Sequence, residues 1–244
     1  MNPWPYPKWI AHRGAGKLAP ENTLAAFQLG AQYGYRMFEC DAKLSRDGVV
    51  FLMHDADLER TTNGTGVAGS YDWAHLSQLD AGTWHSNAYA SERIPTLESL
   101  AKFCLTQAYF LNIEIKPTPS TEAVTGKVVA QEAMRLWRGE PTPPLLTSFK
   151  TEALIAAQET APSLPRGLLL DVLWDGWLDA ALGIECVAIV CNYKLWNSAL
   201  VEAVHAHKMQ CLSYTVNEQH HAQALIEMGI DGIITDQVDK FLGQ

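Results

Sequence analysis

Short apolar runs that read as strands alternate along this chain with segments of helical periodicity, and this order constrains the fold more than any other feature. Strands that alternate with helices form parallel sheets that are covered by those helices. The predicted strands cover residues 9–12, 37–44, 110–116, 145–149, 167–171, 187–192, 210–216 and 232–236. About eight strand–helix units in one α/β chain predict a (β/α)8 TIM barrel.

The second predicted strand is followed by a hairpin signal and then by a less regular segment. Asp47-Gly48 is a turn dipeptide, and residues 49–53 supply the returning strand. A two-residue turn would place His54 directly opposite Asp41, whereas a bulge would shift this pairing by one residue. We expect residues 1–244 to form a single domain, with an insertion at about 56–108 that shapes or covers a pocket.

Two of the predicted strands carry charged side chains on a face that a barrel would bury. The third strand alternates apolar residues with Asn112, Glu114 and Lys116, and the second places Glu39 and Asp41 on one face. If the apolar faces of these strands meet the helices, the charges point into the barrel. Buried charges are costly unless they are paired, hydrogen-bonded or bound to an ion, so these strands are candidates for a functional site.

The amino-acid composition limits the classes of molecule that this protein can bind and the compartment in which it is expected. Hydrophobic residues make up 48% of the chain and charged residues 18%, values typical of a globular enzyme. The net charge of −9 would repel nucleic acid and anionic membrane surfaces. The N-terminal residues lack the apolar segment of a secretory signal or a membrane span, so we expect no membrane insertion. The odd number of cysteines, without CxxC spacing, indicates reduced core residues and a cytoplasmic location; they are Cys40, Cys104, Cys186, Cys191 and Cys211.

In a TIM barrel, the residues at the carboxyl ends of the strands build the active site. These ends carry many side chains that can do chemistry: His12, Arg13, Glu39, Asp41, Glu114, Lys116, Ser148, Phe149, Tyr214, Thr215, Asn217 and Asp236. The sequence therefore predicts an active site at this end of the barrel.

Three of these residues are carboxylates that would converge at adjacent strand ends. Glu39, Asp41 and Glu114 cannot all stay ionised close together without compensation. One interpretation is a hard divalent cation, Mg²⁺ or Ca²⁺, held by their oxygens. The alternative is a structural cluster in which Arg13 and Lys116 neutralise the carboxylates. Since three acids face two bases, we favour the cation.

His12 and His54 have several possible roles. They could ligate zinc or be hydrogen-bonded core residues, but two histidines beside a group of carboxylates favour general acid and base catalysis. Arg13 and Lys116 are the residue types that bind phosphate, one through a bidentate fork and the other as a point charge. Charge balance for the carboxylates is the alternative role for both cations.

Four further residues have two open interpretations each. Phe149 and Tyr214 either pack at the barrel rim or contact the substrate. Glu21 and Asn22 either order the first loop, with Asn22 or Thr23 as the helix N-cap, or belong to the site.

Eight short segments follow one another along the chain: His12-Arg13-Gly14, Glu21-Asn22-Thr23, Glu39-x-Asp41, His54-Asp55, Arg60-Thr61-Thr62-Asn63-Gly64, Glu114-Ile115-Lys116, Thr215-Val216-Asn217 and Asp231-Gly232-Ile233-Ile234-Thr235-Asp236. Their order and spacing strongly resemble those of glycerophosphodiester phosphodiesterases, and the resemblance covers nearly the whole chain. The chain is most similar to the cytoplasmic bacterial branch of that family. It departs from the family at Tyr214, where tryptophan is frequent.

The resemblance implies a metal-dependent enzyme that hydrolyses small glycerophosphodiesters, such as deacylated phospholipids, to sn-glycerol 3-phosphate and an alcohol. It implies that His12 and His54 are the acid–base pair and that the three carboxylates bind the cation. Arg13 and Lys116 would then engage the phosphate. Two rival hypotheses are a catalytically silent barrel that binds a metal or phosphodiester, and a metal-dependent sugar isomerase on the same fold. The oligomeric state is open.

Overall fold

The computed structural model describes residues 4–241 of the chain. Within this part, the strands are β1 (Trp9–Ala11), β2 (Met37–Leu44), β3 (Val50–Leu52), β4 (Phe110–Ile115), β5 (Leu145–Ser148), β6 (Arg166–Leu170), β7 (Ala188–Asn192), β8 (Gln210–Tyr214) and β9 (Gly232–Thr235). The α-helices are α1 (Leu24–Gln32), α2 (Trp73–Leu76), α3 (Leu97–Thr106), α4 (Glu122–Leu136), α5 (Thr151–Thr160), α6 (Trp177–Gly183), α7 (Ser198–Ala206) and α8 (Gln219–Met228). Short 3-10 helices cover Ala68–Ser70, Asn87–Tyr89 and Tyr193–Leu195.

The sheet closes on itself. Its strands follow the order β1-β9-β8-β7-β6-β5-β4-β2, and β1 also pairs with β2 in parallel. The only antiparallel member in the described part of the chain is β3, which pairs with the last residues of β2. Eight parallel strands with helices between them form a TIM barrel, so the predicted fold class is confirmed. The predicted strand and helix ends differ from the observed ones by a few residues.

Apolar residues fill both the layer outside the barrel and its floor. Leu111, Ile113 and Ile115 of β4 belong to the core between the sheet and the helices. A separate apolar cluster fills the barrel interior away from the carboxyl ends of the strands. In it, Tyr6 meets residues of the strands such as Ile10, Met37 and Leu145. The inward positions nearer the carboxyl ends are polar instead. The barrel interior is thus filled by apolar side chains at one end and lined by polar side chains near the carboxyl ends of the strands.

The predicted register of the β2–β3 hairpin is wrong. Ala42 pairs with Leu52, and Lys43 pairs with Phe51. Continued by one residue, this register brings Met53 to Asp41, and the Met53 amide does donate to the Asp41 carbonyl at 2.9 Å. His54 therefore lies beyond β3, not directly opposite Asp41. The turn is longer than two residues because the Ser45 amide bonds to the Val49 carbonyl and thereby encloses Asp47-Gly48 in a wider loop.

The segment between β3 and α3 builds a small core together with Phe51 of β3. Its apolar members are Phe51, Met53, Leu58, Ala68, Leu76, Leu79, Ala81 and Ile94. By contrast, Leu97, Leu100, Ala101 and Cys104 of α3 pack into the main core with α1 and α4. The assignment of residues 1–244 to one domain with an insertion at about 56–108 stays a prediction. Among the described residues, no helix has the length and apolar character needed to cross a membrane.

Candidate active site

Three carboxylates meet at the carboxyl ends of β2 and β4. Because side chains alternate along a strand, Glu39 and Asp41 share the inner face of β2, and parallel pairing sets Asp41 beside Glu114 of β4. One oxygen from each of the three carboxylates lies within 4.8 Å of the others. Glu39 is 3% exposed, Asp41 0% and Glu114 9%, so this cluster is almost out of contact with water. The predicted convergence of these residues is therefore present.

The electrostatics of the cluster fit a divalent cation. Within the described residues, the buried oxygens Glu39 Oε1 and Asp41 Oδ1 have no hydrogen-bond partner. Burial and the charge of Asp41 raise the pKa of Glu39 to about 8 and also raise the pKa of Glu114. A raised pKa in a buried carboxylate means that nearby positive charge does not offset its burial and the repulsion from its carboxylate neighbours. Oxygen donors of this kind suit a hard ion such as Mg²⁺ or Ca²⁺.

Arg13 and Lys116 lie beside the carboxylates, as expected. The Arg13 Nε atom is 3.1 Å from Asp41 Oδ2, and Lys116 Nζ donates to Glu114 Oε1 at 2.7 Å. Burial raises the pKa of Asp41, but Arg13 and Lys116 lower it by more, so it lies below its usual range. Glu39 has neither cation within salt-bridge distance. Charge balance by these two cations therefore leaves Glu39 uncompensated.

His12 is held by a carboxylate that is itself anchored. Its Nδ1 atom is 2.6 Å from Asp236 Oδ1, and its Nε2 atom is 3.8 Å from Glu39 Oε2. The Asn217 side chain donates to Asp236 Oδ2 at 2.9 Å and accepts from the Asp236 amide. Burial lowers the pKa of His12, but Asp236 and Glu39 offset this effect, so the pKa is raised. The sequence motifs included Asp236 and Asn217 but indicated no role for them.

His54 lies near the cluster as well and has a matching arrangement. Its Nδ1 atom is 2.7 Å from Asp55 Oδ1. Burial lowers the pKa of His54; Arg13 and Lys116 also lower it, and together these effects exceed the opposing effect of Asp41. Both histidines thus have Nδ1 on a carboxylate, which leaves Nε2 free to exchange protons with a ligand.

Two further residues support the cluster, and sequence reasoning did not identify their contacts. Asn22, at φ +59°, donates to Asp41 Oδ2 at 2.8 Å and accepts from the Asp41 amide, while Thr23 caps α1. Lys43 is 1% exposed and donates to the Lys116 carbonyl; burial lowers its pKa to about 8. The alternation that revealed Glu39 and Asp41 includes Lys43 on the same face, so a signal for it existed.

A cavity of about 210 Å³ joins these groups. Its walls include both histidines, Glu39, Glu114, Arg13 and Lys116, and also Phe149 and Tyr214. The rings of Phe149 and Tyr214 pack edge to face at 5.7 Å, and the Tyr214 hydroxyl donates to the Leu170 carbonyl. These two aromatics therefore pack at the rim and also line the cavity. A wider cavity of about 660 Å³ adjoins it and shares His54, Glu114, Lys116 and Phe149.

Comparison with known proteins matches residues 12–240 to the glycerophosphoryl diester phosphodiesterase family. A glycerophosphodiester phosphodiesterase of Caldanaerobacter subterraneus is 32% identical over 235 residues, which are 96% of this chain and 95% of that protein. One of Bacillus subtilis is 30% identical and covers 95% of this chain and 84% of its own length. An Oleispira antarctica phosphodiesterase in complex with the product sn-glycerol-3-phosphate is 31% identical, with a TM-score of 0.89 over 96% of this chain and 95% of that one. This chain therefore belongs to the glycerophosphoryl diester phosphodiesterase family and is a phosphoric diester hydrolase.

Proposed function

We propose that this enzyme uses Mg²⁺ or Ca²⁺ to hydrolyse glycerophosphodiesters to sn-glycerol 3-phosphate and an alcohol, with His12 and His54 as its general acid and base. The observation that carries this proposal is a cavity lined by both histidines, Glu39 and Glu114, where these two carboxylates form a cluster with the buried Asp41. The solved Oleispira relative, which holds sn-glycerol-3-phosphate, supports the identity of the product.

Glu39, Asp41 and Glu114 would hold the cation through their carboxylate oxygens. When bound, the cation would withdraw charge from the phosphodiester and so reduce its repulsion of a nucleophile. Arg13 and Lys116 would then exchange part of their contact with the carboxylates for the phosphate oxygens. Phe149 and Tyr214 are positioned to contact the rest of the substrate, since both line the same cavity.

The pKa values of the two histidines suggest complementary roles. The pKa of His54 is lowered and that of His12 is raised, so His54 is the better proton acceptor and His12 the better donor near neutral pH. In the first step, His54 would take the proton from the attacking oxygen. As the bond from phosphorus to the leaving oxygen breaks, His12 would protonate the departing alkoxide.

The attacking oxygen belongs either to water or to the 2-hydroxyl of glycerol, and we favour the hydroxyl. The product of its attack is a cyclic phosphate, which water opens in a second step with the roles of the histidines reversed. Release of a transient cyclic product in a single turnover supports this route. Turnover of diesters that lack the 2-hydroxyl would exclude it.

Substitution of either histidine tests the catalytic roles. We expect His12→Ala and His54→Ala each to lower kcat by at least ~100-fold, since general acid–base groups contribute on this scale. His207→Ala is the matched control, because this histidine is exposed just after α7. Turnover would be followed by coupled detection of glycerol 3-phosphate, with circular dichroism to verify folding. Normal turnover in either active-site variant removes that residue from the mechanism, and no turnover by the unmodified enzyme favours a silent binding barrel.

We also propose a cytoplasmic location for the enzyme. The supporting observation is that all five cysteines are free thiols and buried. Free thiols of this kind are typical of proteins in a reducing compartment.

A further inference from the structure

We propose that Arg60 is a positioning residue, which aligns His54 for proton transfer by holding Asp55 in place. This inference rests on the proposed role of His54. Arg60 lies in the segment between β3 and α3, and its guanidinium connects the loop that follows β1 with the residue next to His54.

The contacts of Asp55 show why it needs support. Its Oδ1 atom lies 2.7 Å from His54 Nδ1, and this bond sets both the tautomer and the direction of the imidazole. The Asp55 side chain is 29% exposed, so solvent would compete for it. Arg60 binds both of its oxygens, with Nε to Oδ2 at 2.6 Å and Nη2 to Oδ1 at 3.0 Å. The oxygen that orients His54 is therefore itself held by Arg60.

The adjacent edge of the guanidinium, which shares Nη2, is anchored on Glu21. Arg60 Nη1 donates to Glu21 Oε2 at 2.7 Å, and Nη2 donates to Oε1 at 2.8 Å. Glu21 Oε1 also accepts from Arg13 Nη1 at 2.9 Å. Glu21 is the less exposed carboxylate of the two, with 13% of its side chain accessible. Arg60 thus links the exposed orienting group of His54 to a more buried part of the site.

A comparison of the two histidines supports this role. The partner of His12 is Asp236, whose side chain is only 15% exposed and is fixed by Asn217. The partner of His54 is about twice as exposed. Arg60 supplies for Asp55 the support that Asn217 supplies for Asp236. A planar guanidinium can fork to two carboxylates at once, and an ammonium cannot, so lysine should replace Arg60 only in part.

Kinetics of Arg60→Ala and Arg60→Lys test the proposal. We expect Arg60→Ala to lower kcat about 10- to 100-fold with little change in KM, because a small misalignment of a catalytic group has effects on this scale. The kcat of Arg60→Lys should lie between those of Arg60→Ala and the unmodified enzyme. Added guanidinium should partly restore the kcat of Arg60→Ala. Arg46→Ala is the matched control, since Arg46 forks to the exposed Asp72 without contact to either histidine; it should keep normal kinetics.

A spectroscopic readout separates this inference from the proposed function. Long-range ¹H–¹⁵N correlation spectra report which nitrogen of each neutral imidazole carries the proton. In the unmodified protein, we expect His54 to be protonated at Nδ1, and in Arg60→Ala we expect a mixture of tautomers, with His12 unchanged. An unchanged His54 tautomer, or a rise in KM with normal kcat, would overturn the proposal; the second result would instead make Arg60 a phosphate ligand. Because the spectra need no substrate, they remain decisive even if the proposed activity fails.

Discussion

Glu39 differs from the other carboxylates of the cluster in having neither Arg13 nor Lys116 as an ion-pair partner; the basic side chain near it is His12, with Nε2 at 3.8 Å from Oε2. Its Oε2 atom accepts only from the Arg13 backbone amide at 3.1 Å, and its Oε1 atom has no partner among the described residues. Asp41 and Glu114, by contrast, each contact Arg13 or Lys116. Glu39 is therefore the proposed ligand whose charge depends most on a bound cation.

This asymmetry predicts opposite effects of one substitution on affinity and stability. Glu39→Gln should weaken binding of Mg²⁺ and Ca²⁺ by at least ~10-fold, because even residues that only support metal ligands contribute on this scale. In the absence of cation, it should leave the protein as stable or more stable at pH above about 8, since a costly buried charge is removed. Calorimetric titration and thermal unfolding measure the two effects.

The control for Glu39→Gln is Glu132→Gln, which removes a charge from the surface pair with Arg135. Equal cation affinity in Glu39→Gln and the unmodified enzyme would exclude Glu39 as a ligand.

The residues of the site could be predicted from sequence to the extent that strand periodicity carries them. Glu39, Asp41 and Glu114 lie on the inner face because alternate residues of a strand share a face. The contact between Asn22 and Asp41 could not be predicted, because it depends on a left-handed backbone at Asn22 and on how a loop folds over the barrel. The contact between Arg60 and Glu21, which are 39 residues apart, likewise depends on tertiary structure.

At the scale of elements, α4 and α5 approach each other closely at Gly126. A Cβ atom built on Gly126 would lie 2.1 Å from the Ala153 carbonyl oxygen, so backbone atoms would have to move. Gly183, the last residue of α6, has open space around the same position. The two glycines therefore offer a direct comparison between helix packing and helix propensity.

We expect Gly126→Ala to destabilise the protein by about 1–3 kcal/mol, the usual result of overpacking a core contact. Gly183→Ala should stabilise it by about 0.4–1 kcal/mol, because alanine reduces the conformational entropy of the unfolded chain. Urea unfolding with parallel measurement of kcat checks both values. If the two variants are equally stable, the close approach of α4 to Ala153 does not make a larger side chain at Gly126 destabilising.

The elements themselves follow from the sequence more closely than their register does. The apolar periodicity located the eight parallel strands and the helices between them, because each element must bury one face. It did not yield the β2–β3 register, since the Asp47-Gly48 dipeptide fits several turn lengths and the bond from Ser45 to Val49 selects one. A shift of one residue was enough to place Met53, and not His54, opposite Asp41.

At the scale of the whole molecule, the carboxylates of the site affect stability in two ways. Asp41 and Asp236 have lowered pKa values, so the stability that they contribute is lost only as pH falls below about 4. Glu39 has a raised pKa, from 4.5 to about 8. Its proton is bound more tightly in the folded protein, so the stability that this proton contributes is complete below pH 4.5 and is lost as pH rises to about 8.

The effect of a cation on unfolding should therefore grow with pH. Between about pH 6 and pH 8 the cation must displace a proton from Glu39, so its apparent affinity should rise by up to ~10-fold per pH unit. A cation at 100 times its Kd stabilises the folded protein by about 2.7 kcal/mol, which corresponds to a rise in Tm of roughly 5–10 °C for a chain of this size. Thermal unfolding with and without Mg²⁺ or Ca²⁺ at a series of pH values measures this rise. In Glu39→Gln the rise should be smaller and nearly independent of pH, because the displaced proton is gone. A rise in Tm that is the same at all pH values in the unmodified enzyme would mean that the cation does not bind where Glu39 titrates.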